Sequence, residues 1–392
     1  MLFRCSKMFW ALLFAYLSMF ILGLADNLRG PLFPELLKYF NLSNSEGSFS
    51  FALASTAALL GNIASAFALK KVHLNRLLTW TIALMMAGVA LMGFAPLFVW
   101  YLAGCFLFGF GLGATGVTQN LLIAENVQPP HQTRAMSSMH GIYGFSSLLA
   151  PLLASRSPRV FSDHYPSENL LTQWQSGFLV VSFLSMLVVL LTFIISPKEE
   201  FVHHEEASKG TVKKSSVTTM LWFAGFFATY VAAEILVSTR LALYMRSYFN
   251  LSFEDSSNYV TYFFVFLLLG RLLFAIKSFK SAIKLQMNLC LMGSVLFLIM
   301  GLYVHPFFLA LCGLSMAPFY PLAIVYISEK AGLQKRRFIT FAMSIQSVCV
   351  ILMHVCVGYL TDAFGLLFAF GFGVVLLIMA LVCLNFHPPI KA

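Results

Sequence analysis

Five charged residues stand deep inside long apolar stretches of this 392-residue chain. They are two acids, Asp26 and Glu234, and three arginines, Arg29, Arg240 and Arg271. A charge near the centre of a bilayer costs at least about 2.5 kcal/mol, and charges found there commonly bind ions, protons or solutes. An acid that alternates between burial and contact with a cation can take up and release a proton. These residues therefore predict a site for a solute or a proton.

The spacing of the charged residues predicts which of them meet directly. Asp26 and Arg29 are three residues apart, so both side chains fall on one face of a helix. Glu234 and Arg240 are separated by more than one turn and should not make the same contact. Each acid lies roughly 20 to 25 Å before the end of its apolar run, at 1.5 Å per helical residue. We therefore expect the two acids at nearly equivalent depths in a membrane.

Polar residues on other apolar stretches complete the candidate set. They carry amide, imidazole or phenol groups: Asn27, Gln119, Asn120, His140, Tyr143, Tyr320 and Gln346. With the five charged residues they could line a polar cavity for solute binding or proton coupling. Aromatic residues of the spans could stack on a sugar ring; they include Trp222, Tyr143, Tyr230, Tyr262 and Tyr320. The alternative is that these groups hold helices together through hydrogen bonds worth about 0.6 kcal/mol each.

The composition requires a membrane. Apolar residues make up 59% of the chain and charged residues 10%, and the mean hydropathy is +0.84. A water-soluble fold of this composition would leave large apolar surfaces exposed. A helix crosses the hydrocarbon layer with about 20 apolar residues, whereas a transmembrane barrel needs short alternating strands that are missing here. Twelve apolar runs predict an all-α polytopic membrane protein; they begin near Met8, Ser48, Leu77, Leu97, Ala135, Gly177, Thr218, Asn258, Leu285, Pro306, Phe338 and Leu366.

The pentapeptide Tyr-Phe-Asn-Leu-Ser occurs twice, at residues 39–43 and 248–252, each time between two long apolar runs. In the same ungapped register, Ser48 matches Ser257. The chain is therefore a duplication of a six-helix unit, and an even number of crossings gives both copies one orientation. Both copies contain the glycosylation sequon Asn-Leu-Ser, but their equivalence favours a structural turn.

The duplication also predicts the domain boundaries. We assign residues 1–196 to an N-terminal six-helix half and residues 218–392 to a C-terminal six-helix half. The polar stretch 197–217 between them is predicted to be a cytoplasmic linker, long enough to let the two halves move relative to each other.

The positions of Lys and Arg predict the orientation. When the ends of the spans are assigned alternately to two sides, most of the 25 Lys and Arg residues fall on one side. The opposite side receives Lys38, Arg156, Arg159 and Arg246. By the positive-inside rule the richer side is cytoplasmic, and both termini lie on it. The net charge of +10 is then a topology signal and requires no nucleic acid or acidic partner.

Catalytic and cofactor motifs give no support for an enzyme. The G-x-G-x-x-G match at residues 111–116 lies in an apolar helix with no preceding strand, which argues against a dinucleotide site. Gly104, Gly109, Gly113 and Gly116 are instead spaced to let another helix approach closely. We expect no cofactor, metal or disulfide framework, since the seven cysteines lie mostly inside spans.

Several candidate residues lie within recognisable local motifs. These are residues 23–27 with Pro34, the glycine-rich stretch 109–120, residues 139–145 with Pro151, Ala233-Glu234, Gly270-Arg271 and Ala317-Pro-Phe-Tyr-Pro321. Together they resemble the fucose permease branch of the major facilitator superfamily, over nearly the whole chain. The Gly-Arg pair and the Ala-Pro-x-x-Pro sequence are the more specific marks. The resemblance implies twelve spans, a central cavity and sugar import coupled to protons.

Two acids of that branch are missing from this chain. The first-span acid of the fucose permease falls on Gly30, and its fourth-span acid falls on Gly116. Asp26 lies one helical turn from the first position, and Glu234 lies in the other half. Proton coupling is therefore expected to be relocated to one of these acids or lost.

The sequence thus predicts a secondary active transporter of a small polar, sugar-like solute, coupled to protons and working by alternating access. Its expected partners are the solute, protons and lipid, and the chain is expected to be a monomer in a bacterial inner membrane. The buried arginines favour an alternative, an anionic solute such as a sugar acid, a carboxylate or a siderophore. An exporter of amphipathic compounds and a sensor that binds without flux are further alternatives.

Overall fold

A computed structural model of the protein describes residues 7–162, 164–166, 169–195, 216–276 and 281–388. Within these ranges the chain is helical and forms no β-strand. The thirteen α-helices of the described residues are α1 Lys7–Phe40, α2 Asn44–Ala68, α3 Leu74–Phe94, α4 Phe98–Asn126, α5 Pro129–Ser162, α6 Ser176–Ile195, α7 Val217–Phe249, α8 Phe253–Ile276, α9 Ile283–Tyr303, α10 Phe307–Met316, α11 Phe319–Ala331, α12 Lys335–Phe364 and α13 Leu366–Phe386. Most of the predicted linker, residues 197–215, lies outside the described residues.

The helices begin within about two turns of the predicted starts. Over the described residues, 11 segments are long and apolar enough to cross a membrane, and α10 with α11 counts as one of them. The twelfth segment is α5, whose 34 residues extend about 50 Å, more than the hydrocarbon thickness. Helix α5 is less apolar than the other 11 segments because it contains many serines together with histidine and arginine.

The tenth span is broken into α10 and α11 because of its prolines. A proline lacks the N–H that a helix interior needs, and its ring clashes with the carbonyl one turn earlier. Pro318 stands between the last residue of α10, Met316, and the first residue of α11, Phe319. The carbonyl of Leu314 therefore has no helical donor from position 318. The break places free backbone groups inside a membrane segment.

The repeated pentapeptide forms the same turn in both copies. Asn41 has a φ of 51° and Asn250 a φ of 52°, and among the described residues no other residue except glycine has a positive φ. Asparagine tolerates this left-handed conformation better than most side chains. The expectation of a repeated structural turn is confirmed.

Each turn is followed by the same type of helix cap. In the first copy the backbone N–H of Ser43 donates to Glu46 Oε2 (2.8 Å), and the N–H of Glu46 donates to Ser43 Oγ (3.2 Å). In the second copy the N–H of Asp255 donates to Ser252 Oγ (3.0 Å), which donates to Asp255 Oδ2 (2.7 Å). These caps satisfy N–H groups that the first turn of a helix leaves free.

The chain divides into two compact units, which are named the first and second unit. The first comprises Met1–Asn41 and Leu53–His203, and the second comprises Leu42–Ala52 and His204–Ala392. In the first unit α1 packs on α4 and α5, and α3 packs on α4 and α6. In the second unit α7 packs on α8, α12 and α13, and α8 packs on α10.

The start of α2 belongs to the second unit and is capped there by α12. Asp362 Oδ1 accepts the backbone N–H of Asn44 (2.9 Å), and Asp362 Oδ2 accepts the N–H of Ser45 (2.8 Å). A carboxylate at a helix N-terminus is favoured by the free N–H groups and by the helix dipole. One side chain of α12 thus holds the first turn of α2.

Of the four glycines predicted to form one contact face on α4, Gly109 and Gly113 lie against α2, and Gly104 lies against a different helix, α3. A methyl group on Gly109 would lie 2.1 Å from the carbonyl oxygen of Ala54, and one on Gly113 would lie 2.0 Å from that of Ala58. Gly104 is similarly close to α3. Gly116 differs, since a methyl group there would meet no heavy atom within 4 Å. The prediction is wrong for Gly116, which faces open space and so permits no close helix approach.

Candidate functional site

The predicted contact between Asp26 and Arg29 is present in the first unit. Arg29 Nη2 lies 2.8 Å from Asp26 Oδ1, and the two residues lie on one face of α1. The guanidinium also lies over the ring of Phe108 of α4, 4.7 Å from its centre, where a cation is attracted to the ring. The Arg29 side chain is 10% exposed and that of Asp26 is 30% exposed. The pair therefore buries the cation and leaves part of the carboxylate open.

Side chains of α5 complete this group. Tyr143 Oη donates to Asp26 Oδ2 (3.1 Å) and accepts from Asn27 Nδ2 (3.2 Å). Asn27 Nδ2 also lies 2.9 Å from Ser147 Oγ and 2.9 Å from the carbonyl oxygen of Gly23, so its two hydrogens are shared among three acceptors. The structure thus joins four of the predicted residues, Asp26, Asn27, Arg29 and Tyr143, into one network, which we call the Asp26 cluster.

Gln119 and Asn120, two further predicted residues of the first unit, make hydrogen bonds to groups outside the Asp26 cluster. Gln119 is buried and accepts a hydrogen bond from Ser18 Oγ at 2.9 Å, which ties α4 to α1. Asn120 is half-buried and donates to the carbonyl of Gly116, one turn earlier on its own helix (2.7 Å). His140 is exposed on α5. The contact of Gln119 holds two helices together, as the alternative prediction for these polar groups expects, whereas that of Asn120 stays within α4.

The second unit has its own acidic group around Glu234 of α7. Glu234 Oε1 lies 3.8 Å from Arg271 Nη2 of α8, a looser ion pair than that in the first unit. Glu234 Oε2 contacts Tyr230 Oη, one turn earlier on α7. Tyr230 Oη also lies 2.6 Å from the carbonyl oxygen of Met316, the last residue of α10. We call Glu234, Tyr230, Arg271 and the Met316 carbonyl the Glu234 cluster.

Two local motifs of the sequence pack on each other beside the Glu234 cluster. A methyl group on Gly270 would lie 2.6 Å from the carbonyl oxygen of Leu314 and 2.6 Å from Cβ of Ala317. Only glycine therefore lets α8 approach the broken tenth span, and this approach brings Arg271 to α7. Tyr320 of α11 packs on the ring of Phe227 (5.0 Å between ring centres) and lies within electrostatic range of Glu234.

Arg240 takes a third kind of environment. It is 1% exposed, and its Nη2 donates to Ser48 Oγ at 2.9 Å. Its guanidinium lies 4.8 Å from the centre of the Phe51 ring, and the His354 ring stacks on Phe51 with 5.0 Å between centres. Arg240 thus contacts Ser48 and Phe51, and Glu234 pairs with Arg271 instead. This agrees with the prediction that Glu234 and Arg240, six residues apart, do not meet. Gln346 of α12 is half-buried, and no hydrogen bond joins it to the other predicted residues in the described part of the chain.

The sequence predicts Tyr230 only as one of several rings that could stack on a sugar, and not as a partner of Glu234. Its spacing to Glu234, four residues on a helix, is the signal that points to a contact between them. Its second contact, to a carbonyl freed at the end of α10, depends on a helix break that juxtaposes distant segments. The spacing of residues in the sequence therefore does not predict the contact between Tyr230 and the Met316 carbonyl.

Twelve helical segments, with acid–arginine pairs inside them, define a polytopic membrane transporter built by duplication. A model of the family described as Major Facilitator Superfamily matches residues 15–343, and the chain belongs to this superfamily of membrane transporters, which are not enzymes. A search of curated proteins finds no match.

Solved structures with the same fold include transporters of different solutes. The xylose transporter XylE from E. coli, in an inward open conformation, is 14% identical with a TM-score of 0.77, covering 98% of this chain and 97% of that one. A variant of the E. coli fucose:proton symporter FucP is 16% identical with a TM-score of 0.62, covering 98% and 100%. A bacterial homologue of the human lysosomal transporter Spinster, inward-facing and occupied, is 12% identical with a TM-score of 0.72, covering 96% and 95%. At these identities the similarity shows the fold alone.

Proposed function

We propose that the protein is a proton-coupled secondary transporter of a small polar, sugar-like solute, working by alternating access. The observation that carries this proposal is the Asp26 cluster, in which a part-exposed carboxylate stands beside an amide, a phenol and a hydroxyl. These groups both donate and accept hydrogen bonds, as the hydroxyls of a sugar require. A few polar groups in a largely apolar surrounding are typical of small-molecule sites.

The similar structures support a sugar-like solute. One of them is named a D-xylose-proton symporter and another a fucose:proton symporter. Tyr143 of the Asp26 cluster and Tyr320 beside the Glu234 cluster supply rings on which a sugar can stack. The proton would bind to Asp26 or Glu234, since the acid positions of the fucose permease are occupied by Gly30 and Gly116 in this chain.

A second candidate, an anionic solute, is favoured by Arg271. Its side chain is 30% exposed, more than those of Arg29 and Arg240, and its carboxylate partner is 3.8 Å away, so a second anion can approach it. A sugar acid or small carboxylate would form a charge-assisted hydrogen bond with such a group.

We also propose that the protein is a monomer in a bacterial inner membrane with both termini in the cytoplasm. The Lys and Arg distribution supports the cytoplasmic position of the termini through the positive-inside rule. Fusions of a reporter that is active only in the cytoplasm should be active at both termini, and activity at one terminus only would refute this topology.

The test of function is uptake into proteoliposomes of neutral sugars, sugar acids and small carboxylates, with and without an inward proton gradient. Gradient-stimulated uptake of a neutral sugar supports the first candidate, and uptake of anions alone supports the second. Binding without flux would mean a sensor, and efflux of amphipathic compounds an exporter. Either result would refute the proposal.

A matched pair of variants connects uptake to the Asp26 cluster. Asn27→Ala should lower sugar uptake strongly, because Asn27 joins α1 to Tyr143 and Ser147. Asn126→Ala is the control, since Asn126 also lies half-buried near the end of a span but bonds only the Leu122 carbonyl of its own helix (3.0 Å). Equal losses in both variants would contradict a role of the Asp26 cluster in binding.

A further inference from the structure

The contacts of Tyr230 favour a proton on Glu234 over an ionised carboxylate. Tyr230 Oη meets two oxygen atoms, Glu234 Oε2 and the carbonyl oxygen of Met316. A phenol has one hydrogen to donate, and a backbone carbonyl can only accept. If Glu234 is ionised, one of these two contacts joins two acceptors with no hydrogen between them. If Glu234 is protonated, its hydrogen goes to Tyr230 and that of Tyr230 goes to Met316, so both contacts are satisfied.

The Asp26 cluster gives the opposite result. Asp26 Oδ1 accepts from Arg29 Nη2 at 2.8 Å, and Asp26 Oδ2 accepts from Tyr143 Oη at 3.1 Å. The hydrogen of Tyr143 is available for the carboxylate, because the amide nitrogen of Asn27 beside the same phenol oxygen can only donate. Each oxygen of Asp26 thus has a donor when the acid is ionised.

We propose that Glu234, rather than Asp26, binds and releases the transported proton, and that Tyr230 positions this proton and links it to the Met316 carbonyl at the break of the tenth span. This inference rests on the proposed proton coupling, and it makes Tyr230 a positioning residue. The charged and titratable groups near Glu234 on neighbouring helices are Arg271 of α8, Tyr320 of α11 and Cys312 of α10. Cys290 of α9 lies near Tyr230.

Loss of the proton has a structural consequence. An ionised Glu234 attracts the hydrogen of Tyr230 and attracts Arg271, because both can stabilise a carboxylate. The Met316 carbonyl then loses its donor at the end of α10, where helix carbonyls have no partner within the helix. Proton release therefore weakens the contact between α7 and the broken tenth span. Proton binding restores it, which gives protonation a way to favour one arrangement of this span.

Infrared difference spectroscopy of the purified, reconstituted protein tests the protonation directly and does not depend on transport. A protonated carboxylic acid has a C=O stretching band that a carboxylate lacks. At neutral pH this band should be present in the wild type, retained in Asp26→Asn and absent in Glu234→Gln. In Tyr230→Phe the band should remain if the acid is still protonated and move to higher frequency, because the acid has lost its acceptor. Absence of the band from the wild type, or its loss in Asp26→Asn only, would overturn the proposal.

Transport by the same variants provides the second readout. In Glu234→Gln the amide N–H can donate to Tyr230 as the protonated acid does, so solute exchange should persist while uptake becomes equal with and without the proton gradient. In Asp26→Asn the amount of uptake should fall, because Asp26 belongs to the proposed solute site, but the uptake that remains should still be higher with the gradient than without it. Gradient stimulation that survives in Glu234→Gln would overturn the inference. If the wild type transports without any gradient stimulation, the proposed proton coupling fails, whereas the infrared band still reports separately on the protonation of Glu234.

Discussion

Replacing Asp26 by Asn should destabilise the first unit, because the change leaves the Arg29 guanidinium buried without its carboxylate. Removing one partner of a fully buried ion pair costs about 3–5 kcal/mol. Arg29 is only 10% exposed, but Asp26 is 30% exposed, so part of the pair is already solvated. We therefore expect a loss of about 1.5–3 kcal/mol, the range for a hydrogen bond to a charged group. Each 1.4 kcal/mol lowers the ratio of folded to unfolded protein about tenfold.

A double-mutant cycle separates this pair from general damage to the helix contact. Arg29→Met removes the cation and retains an apolar chain over the Phe108 ring. Because Asp26→Asn with Arg29→Met leaves no unpaired charge, the double variant should lose less stability than the sum of the single losses, by at least about 0.5 kcal/mol. Unfolding by denaturant in detergent micelles, followed by tryptophan fluorescence, measures the free energy of unfolding of the two single variants and the double variant.

The matched control in the second unit is Glu234→Gln. Its ion pair with Arg271 is long, at 3.8 Å, and its amide can replace a protonated acid as donor to Tyr230, so this variant should lose much less stability than Asp26→Asn. Additive losses in the cycle, or a larger loss for Glu234→Gln than for Asp26→Asn, would refute the different charge states assigned to the two acids.

Three further predictions concern packing and the helix ends. Gly113→Ala should cost about 1–3 kcal/mol in the unfolding assay, because its methyl group would lie 2.0 Å from a carbonyl oxygen, while Gly116→Ala, in open space, should cost little. Asp362→Ala should cost about 0.5–2 kcal/mol and speed hydrogen exchange at the first N–H groups of α2, which it caps. Burial lowers the pKa of His387, so its charged form is disfavoured in the folded protein, and stability should fall as the pH drops below about 6.5. A thermal-unfolding series against pH should show a weaker fall in His387→Gln, and an identical fall would refute the assignment.

The helices and the repeated turn could be predicted because their signals are local. Apolar runs locate the spans, and the second copy of the pentapeptide supports a conformation that one copy alone would leave open. Asn41 and Asn250 adopt nearly equal positive φ values of 51° and 52°, as a repeated structural turn requires. The contact between Asp26 and Arg29 was predictable for the same reason, since three residues on a helix fix its geometry.

The second acidic cluster could be predicted only in part. Glu234 itself stands out as a charge in an apolar run, but its cation, Arg271, comes from the next helix and is brought there by the close approach at Gly270. The six-residue spacing excluded Arg240 as the ion-pair partner of Glu234, but it did not identify Arg271 as that partner. The Met316 carbonyl is still less visible, because a backbone group becomes available only where Pro318 breaks the helix. Contacts between helices depend on packing, which the linear spacing of residues does not encode.

The three buried arginines show how differently one charge can be stabilised in this protein. Arg29 has a carboxylate at 2.8 Å and an aromatic ring, and Arg240 has a hydroxyl and the Phe51 ring while it is almost fully buried. Arg271 has a carboxylate at 3.8 Å and is the most exposed of the three. If the Glu234 carboxylate takes a proton, the charge on Arg271 loses its nearest compensation, and an anionic solute group could restore it. Arg271→Met should therefore reduce binding of a small carboxylate more at low pH than at high pH, whereas a neutral sugar should show no such pH-dependent difference. Isothermal titration of both ligands at two pH values measures this, and equal losses for the two would mean that Arg271 supports the fold and does not recognise charge.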